Sequence, residues 1–383
     1  MKLIFCFAKI LRNSHLEIFE LDKLVEKGYD VTLLDLTKLH GGQATCDNEF
    51  MNNLITQCNT KEDIIDFVGN LGSAPVIYVC NDEYLTKAFE SLKLLVRDQD
   101  KVLGFRTKTI PVQHKKLNVF KRVLRAAFRR DGNFYSLFQK IYKLKRNYLI
   151  PDYFLCSTNY DLPLKIALTL KKQNIIIAHA DDVNKILKVG SFDESKQRIG
   201  VFLDQLLPIA YQNQLPDEYF DHYYEKLRNS LNKLKDVLDL EEIIIAEHPE
   251  SEIYSEKLTD KFKGYTRVRG RTNELIKSSS VVFAHFSTSI GFAAFYKKPI
   301  VILNDRKFED IERISLAMAS FVDILNLPVI DMDSREAGAL TDLSVDNKSY
   351  DNYIKKFLKD SMVNENSYHY AIKKIHNDIS VSR

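Results

Sequence analysis

The chain has 383 residues, a net charge of +3, and a composition that is 45% hydrophobic and 28% charged. That length suits two domains of ordinary size, and that composition excludes a disordered chain. The small net charge gives no global argument for binding nucleic acid, and no apolar run reaches the roughly 18–20 residues that span a bilayer.

The elements alternate. Lys2–Ala8 reads as a first buried strand running into Lys9 and Arg12, and so not as a signal peptide. A helix through Leu16, Phe19, Leu21, Leu24 and Val25 stops at Gly28, before a strand over Val31–Leu36. Ala74–Cys80, Tyr153–Cys156 and Ile175–Ala178 are further short apolar runs. A second series follows: strand Ile199–Asp204, a charged helix from about 217 to 238, and strands over 243–247, 281–286 and 300–303. Residues 349–379 have helical spacing. Strands alternating with helices predict parallel, doubly wound sheets. The fold class expected is α/β of GT-B type, two Rossmann-like doubly wound domains facing a cleft, with a C-terminal helical tail. The domains expected are 1–192, 193–345 and the tail 346–383, with the first boundary in the polar stretch Gly190–Gln197.

Two strand ends carry the chemistry. The run Ile243–Glu247 closes on His248-Pro249, and Val281–Phe286 closes on Ser287-Thr288-Ser289. In open α/β sheets, ligands bind outside the carboxyl ends of the strands. Proline takes the chain out of the sheet and leaves His248 extended, where its imidazole can donate to a phosphate oxygen. A helix starting at the Ser-Thr-Ser turn would offer free N–H groups and hydroxyls to an anion. The plainer alternatives are a turn histidine and an ordinary serine N-cap.

Three aspartates stand where a carboxylate is needed as base or nucleophile: Asp181, Asp182 and Asp204. Each also fits a helix cap. Gly270, Arg271 and Thr272 lie where a loop approaches a nucleotide base, with Thr272 as N-cap of the next helix. His15 follows strand one, and His285, between Ala284 and Phe286, reads as a packed strand residue.

The segment 115–148 holds eleven Lys and Arg, among them Lys121, Arg122, Arg125, Arg129 and Arg130, against the single acid Asp131. Interleaved Leu, Val, Phe and Tyr make it a basic amphipathic insertion suited to an anionic membrane or lipid-linked acceptor, with RNA as the weaker alternative. Five dispersed cysteines without C-x-x-C spacing point to a reducing compartment and no zinc site. There is no P-loop, G-x-G-x-x-G or H-E-x-x-H motif. No metal or cofactor is demanded.

Residues 198–305 resemble bacterial surface-polysaccharide glycosyltransferases. The resemblance rests on Phe202-Leu203-Asp204-Gln205, Leu207-Pro208, Glu247-His248-Pro249, Thr272-x-Glu274-Leu275-Ile276, His285–Ile290 and Lys298-Pro299-Ile300. His-Pro paired with a later hydroxyl turn is similar to bacterial sialyltransferases and Kdo transferases. That resemblance implies a nucleotide-sugar donor, CMP-linked, with its phosphate on His248 and on Ser287, Thr288 or Ser289. It implies a glycan or lipid-linked acceptor. Charge, cysteine usage and the basic segment lead to the expectation of no nucleic acid partner and of a cytoplasmic protein peripheral to the inner membrane. The family's acidic-acidic-Gly motif is not matched, because Val183 follows Asp181-Asp182. Alternatives are a UDP- or GDP-sugar donor, a CDP-polyol donor, and a non-catalytic scaffold.

Overall fold

The computed structural model describes residues 1–8, 11, 13–41, 48–83, 85, 88–107, 110–111, 149–158, 162–187, 198–216, 218–333, 343–359 and 362–381. The basic insertion 115–148 and the expected boundary 190–197 lie outside the described residues. Contacts divide the chain in two: the described parts of 1–108, 114–184 and 359–383 form one unit, and those of 109–113 and 185–358 the other.

The first unit is a seven-stranded sheet in the order β3-β2-β1-β4-β5-β6-β7. Its strands are β1 (Lys2–Phe7), β2 (Asp30–Asp35), β3 (Ile55–Gln57), β4 (Val76–Asn81), β5 (Lys101–Arg106), β6 (Tyr153–Cys156) and β7 (Ile175–Ile177). Every pairing is parallel. Helices cover both faces of such a sheet, so its central strands are apolar throughout. In β1, alternate residues enter two separate cores: Leu3, Phe5 and Phe7 one, Ile4 and Cys6 the other. β5 escapes a reading by apolar runs because Gly104 interrupts it and charged residues end it. A Cβ on Gly104 would meet Leu85 Cδ1 and Phe154 Cδ2 at 2.9 Å, so only glycine lets β5 lie that close to its neighbours.

The second unit is a six-stranded parallel sheet in the order β10-β9-β8-β11-β12-β13. Its strands are β8 (Ile199–Leu203), β9 (Glu242–Glu247), β10 (Arg267–Arg269), β11 (Val281–Ala284), β12 (Ile300–Asn304) and β13 (Val329–Asp331). The charged helix spans Tyr219–Val237 and buries Tyr223, Tyr224, Leu227, Leu231 and Leu234 along one stripe.

Two expectations are corrected. The helix expected up to Gly28 is two helices, Asn13–Phe19 and Leu21–Glu26, broken where Glu20 takes a left-handed φ of 48°. The single tail expected over 346–383 is shared between the units. Asn347–Tyr353 and the π-turn Ile354–Leu358 stay with the second, while Ser367–Val381 packs Tyr368, Ala371, Ile372 and Ile375 into the first unit's core beside Leu3, Phe5 and Phe7.

That last helix is pinned by polar contacts. The Tyr368 hydroxyl lies 2.8 Å from Thr107 Oγ1 and donates to Asp181 Oδ1 at 2.9 Å, all three residues being buried. Tyr368→Phe leaves a buried carboxylate short of a donor, and the expected loss of stability is about 1–3 kcal/mol. Urea unfolding measures it; a loss below roughly 0.5 kcal/mol would show that the bond contributes no net stability.

Candidate functional site

All six strands of the second sheet leave at the same edge. In sheet order their exits are Gly270 and Arg271, His248, Asp204 and Gln205, His285 to Ser287, Asp305, and Met332. The chain runs from β8 out to β10, then returns to β11 on the other side of β8. The switch point lies between β8 and β11, where ligands of open parallel sheets bind.

Beside β8, His248 is half-buried and its Nδ1 accepts the Glu250 N–H at 3.2 Å. An imidazole nitrogen that accepts carries no proton, so in the neutral ring the proton sits on Nε2, which is a donor. Pro249 is exposed. On the far side of β8, the Ser-Thr-Ser turn is not an open helix start. Ser289 N–H donates to Ser287 Oγ at 3.1 Å, and the N–H groups of Ile290, Gly291 and Phe292 donate to the carbonyls of Ser287, Thr288 and Ser289. The amides expected to be free for an anion are therefore taken, and the helix that follows, Ile290–Phe295, is one short piece. What the turn offers is hydroxyls. Those of Thr288 and Ser289 are half-buried and take no part in the hydrogen bonds of the described residues.

Gln205 joins the two sides. Its Nε2 donates to the Asp204 carbonyl at 3.1 Å and to Ser287 Oγ at 3.1 Å. Gln205 appears in the sequence only as part of a motif, with no role attached.

Asp204 is buried, and its Oδ1 accepts the Leu206 N–H at 3.0 Å. This bond closes a tight turn in which Leu206 has a left-handed φ of 52°, and a short helix, Leu207–Ala210, follows with Pro208 in its first turn. Asp204 Oδ2 has no hydrogen-bond partner among the described residues. Burial raises its pKa to about 6; the two backbone N–H bonds and Arg267 oppose the rise, and Glu247 adds to it. Arg267 is itself held by Glu247, with its Nε 2.6 Å from Oε1.

His285 is fully buried, as the sequence suggests. Its Nδ1–H donates to the Leu303 carbonyl at 2.5 Å and its Nε2 accepts from Tyr223 at 2.8 Å. Phe202 and Phe308 lie edge-on at 5.6 and 5.1 Å. Burial lowers its pKa to about 4, so it is neutral at physiological pH and works as a strut. Next to it, Asp305 meets Lys226 Nζ at 2.7 Å, and the same Nζ meets Asp333 at 2.6 Å. Nothing local in the sequence marks this pair, because Lys226 comes from the long helix.

Thr272 is not the N-cap. It is the first helical residue, Arg271 occupies the cap with no side-chain bond, and Arg271 Nε instead pairs with Glu274 at 2.5 Å. Gly270 sits at φ +80°, a turn that favours glycine. A cavity of about 390 Å³ opens beside the loops after β8, walled by Pro208, Ile209, Leu215, Tyr219 and Phe220, with Lys261 at its edge.

The first unit holds the remaining candidates. Asp181 opens the helix Asp181–Ile186 and is engaged by Tyr368; Asp182 beside it is half-buried. His15 is half-buried, with Phe7 at 5.0 Å and Phe19 at 5.9 Å. Lys121, Arg122, Arg125, Arg129 and Arg130 lie outside the described residues. Among the described residues no three of His, Cys, Asp and Glu gather as metal ligands, and no helix is long and apolar enough to cross a membrane.

No protein-family model and no curated protein sequence matches the chain. Solved structures do. A structure of the wall teichoic acid polymerase TagF superposes with a TM-score of 0.54 at 13% identity, covering 100% of this chain and 89% of that one. The same polymerase soaked with CDPG gives 0.53, with the same identity and coverage. A UDP-N-acetylglucosamine 2-epimerase gives 0.52 at 11% identity, covering 100% and 97%. At such identities the likeness is one of fold. The fold is α/β of GT-B type, two Rossmann-like units.

Asp204 provides a test of the site's electrostatics. Its folded pKa near 6 exceeds the unfolded value of about 3.9, so ionising it costs the folded state. That cost is absent below about pH 4 and complete above pH 6. Asp204→Asn keeps an acceptor for Leu206 and removes the charge. At pH 7.5 it is expected to be more stable than the natural protein by on the order of 1–3 kcal/mol, with no gain at pH 4. Thermal melts at both pH values check this, and an equal shift at both would refute it.

Proposed function

We propose that the chain is a glycosyltransferase of bacterial surface-polysaccharide synthesis, and that the second unit holds a nucleotide-activated donor at the carboxyl edge of its sheet. The observation that carries this reading is the tautomer of His248. Its Nδ1 accepts the Glu250 N–H, which puts the neutral ring's proton on Nε2. β9 and β11 both pair with β8, so the exits bearing His248 and Ser287 are roughly 10 Å apart at ordinary strand spacing. A phosphate between them would receive the imidazole from one side and the hydroxyls of Ser287, Thr288 and Ser289 from the other. As the donor's glycosidic bond breaks, negative charge grows on the departing phosphate, and these donors stabilise it. Gly270, Arg271 and Thr272, at the exit of β10, would line the base.

The donor in this reading is a CMP-linked nonulosonic or ulosonic acid: sialic, pseudaminic, legionaminic acid or Kdo. It rests on the resemblance of the His-Pro and Ser-Thr-Ser elements. A glycan or lipid-linked glycan would be the acceptor, met at the inner membrane face through segment 115–148, with His15 near it. An aspartate among Asp181, Asp182 and Asp204 would take the acceptor's proton. Asp181 already receives the Tyr368 hydroxyl. A second reading, a CDP-activated polyol donor, is favoured by the fold shared with the CDPG-soaked polymerase.

Thermal shift with CMP, CDP, UDP and GDP separates these readings, since a ligand of the native state raises the melting temperature by mass action. CMP is expected to stabilise the protein, by about 2.7 kcal/mol at a hundredfold excess over its Kd, and His248→Ala to abolish the effect. Preference for CDP would move the assignment to the polyol donor, and preference for UDP or GDP would remove the sialyl and Kdo analogy. Silence from all four would favour a non-catalytic scaffold. For the base, Asp→Asn changes at 181, 182 and 204 are expected to spare donor binding while one of them abolishes turnover. Turnover by all three variants would refute the assignment.

A further inference from the structure

Ser287 Oγ stands at an unusual point in the hydrogen-bond network. It accepts twice, from Gln205 Nε2 and from Ser289 N–H, each at 3.1 Å. A serine hydroxyl has two acceptor lone pairs and one proton. With both lone pairs taken, that proton has to go to an acceptor elsewhere, and the described residues supply none. The orientation of the Gln205 amide follows from the protein itself. Its Nε2 also faces the Asp204 carbonyl at 3.1 Å, and a carbonyl only accepts, so the nitrogen end has to point that way. Both N–H bonds of the amide are thereby used, one on each side of the switch point between β8 and β11.

We propose that Gln205 is a positioning residue that turns Ser287 into a fixed hydrogen-bond donor toward an anionic ligand oxygen. Without Gln205, Ser287 has a free lone pair, and its hydroxyl can rotate so that it points its proton elsewhere. With Gln205, the only role left to it is to donate. The inference rests on the reading of this edge as a nucleotide-phosphate site and adds to it the residue that sets the direction of the donor. The donor's two phosphate-facing sides then use one device each: Glu250 N–H fixes the proton of His248, and Gln205 fixes that of Ser287.

The test is a double-mutant cycle read by calorimetric titration of the full chain with CMP and CDP. Gln205→Met keeps the side chain's bulk and removes both N–H donors; Ser287→Ala removes the proton itself. Circular dichroism melts verify that each variant is folded. Ser287→Ala is expected to weaken binding on the order of tenfold, the range for a hydrogen bond to a charged group. Gln205→Met is expected to weaken it roughly three- to tenfold, but by less than about twofold in a Ser287→Ala background, because its effect passes through Ser287. Gln205→Glu, whose carboxylate accepts the Ser287 proton, is expected to bind more weakly than Gln205→Met. Additive losses would show Gln205 acting by itself and overturn the proposal. So would nucleotide binding that His248→Ala abolishes but Gln205→Met leaves unchanged, and in that case the reading of the site would stand. No binding by the unsubstituted protein would overturn both.

Discussion

The parallel pairing of β8 with β9 on one side and β11 on the other is the constraint on which the second unit depends. It places the exits of three strands in a row and makes the chain change direction at one of them. The packing there is tight: a Cβ on Gly200 in β8 would lie 2.8 Å from Phe283 Cε2 and 3.0 Å from Leu240 Cδ1. Glycine is what allows the ring of Phe283 to sit against the β8 backbone. The residues that leave β8, Asp204 and Gln205, inherit that position and so reach both neighbours.

Next to the row stand buried and half-buried polar groups. His285 ties β11 to the Leu303 carbonyl of β12 and to Tyr223 of the long helix, while Lys226 on that helix reaches Asp305 after β12. Such groups cost much to bury and are tolerated when every partner is supplied. The neutral ring of His285 avoids the larger cost of a buried charge. The Ser-Thr-Ser turn follows directly on from this histidine, so its hydroxyls stand on a rigid base.

The two sheets were legible in the sequence because strands buried on both faces read as continuous apolar runs. The edge strands β3, β10 and β13 carry polar residues among their three positions and lack the apolar run that marks the equally short β7. The positions of His248 and Ser287 were legible as strand exits; their hydrogen bonds were not. Asp181 looked like a free carboxylate until Tyr368, 187 residues away, was placed beside it, and Gln205 gained a role only from Ser287, 82 residues on. A helix does start at the Ser-Thr-Ser turn, but its first amides are not free, for a local reason. The amides of Ile290, Gly291 and Phe292 go to the turn's carbonyls, a choice of backbone geometry that residue types alone do not dictate.

The helix Ser367–Val381 belongs to the first unit, yet it is made after the whole of the second. On the ribosome, β1 to β7 emerge early with Phe19, Leu21 and Leu24 but without Tyr368, Ala371, Ile372 and Ile375, which complete the core around Leu3, Phe5 and Phe7. The second unit, almost entirely the continuous stretch 185–358, can close before the first is complete. The nascent first sheet therefore waits with that core unfinished while about half the chain is still being synthesised. Chaperone demand during synthesis should fall on that core.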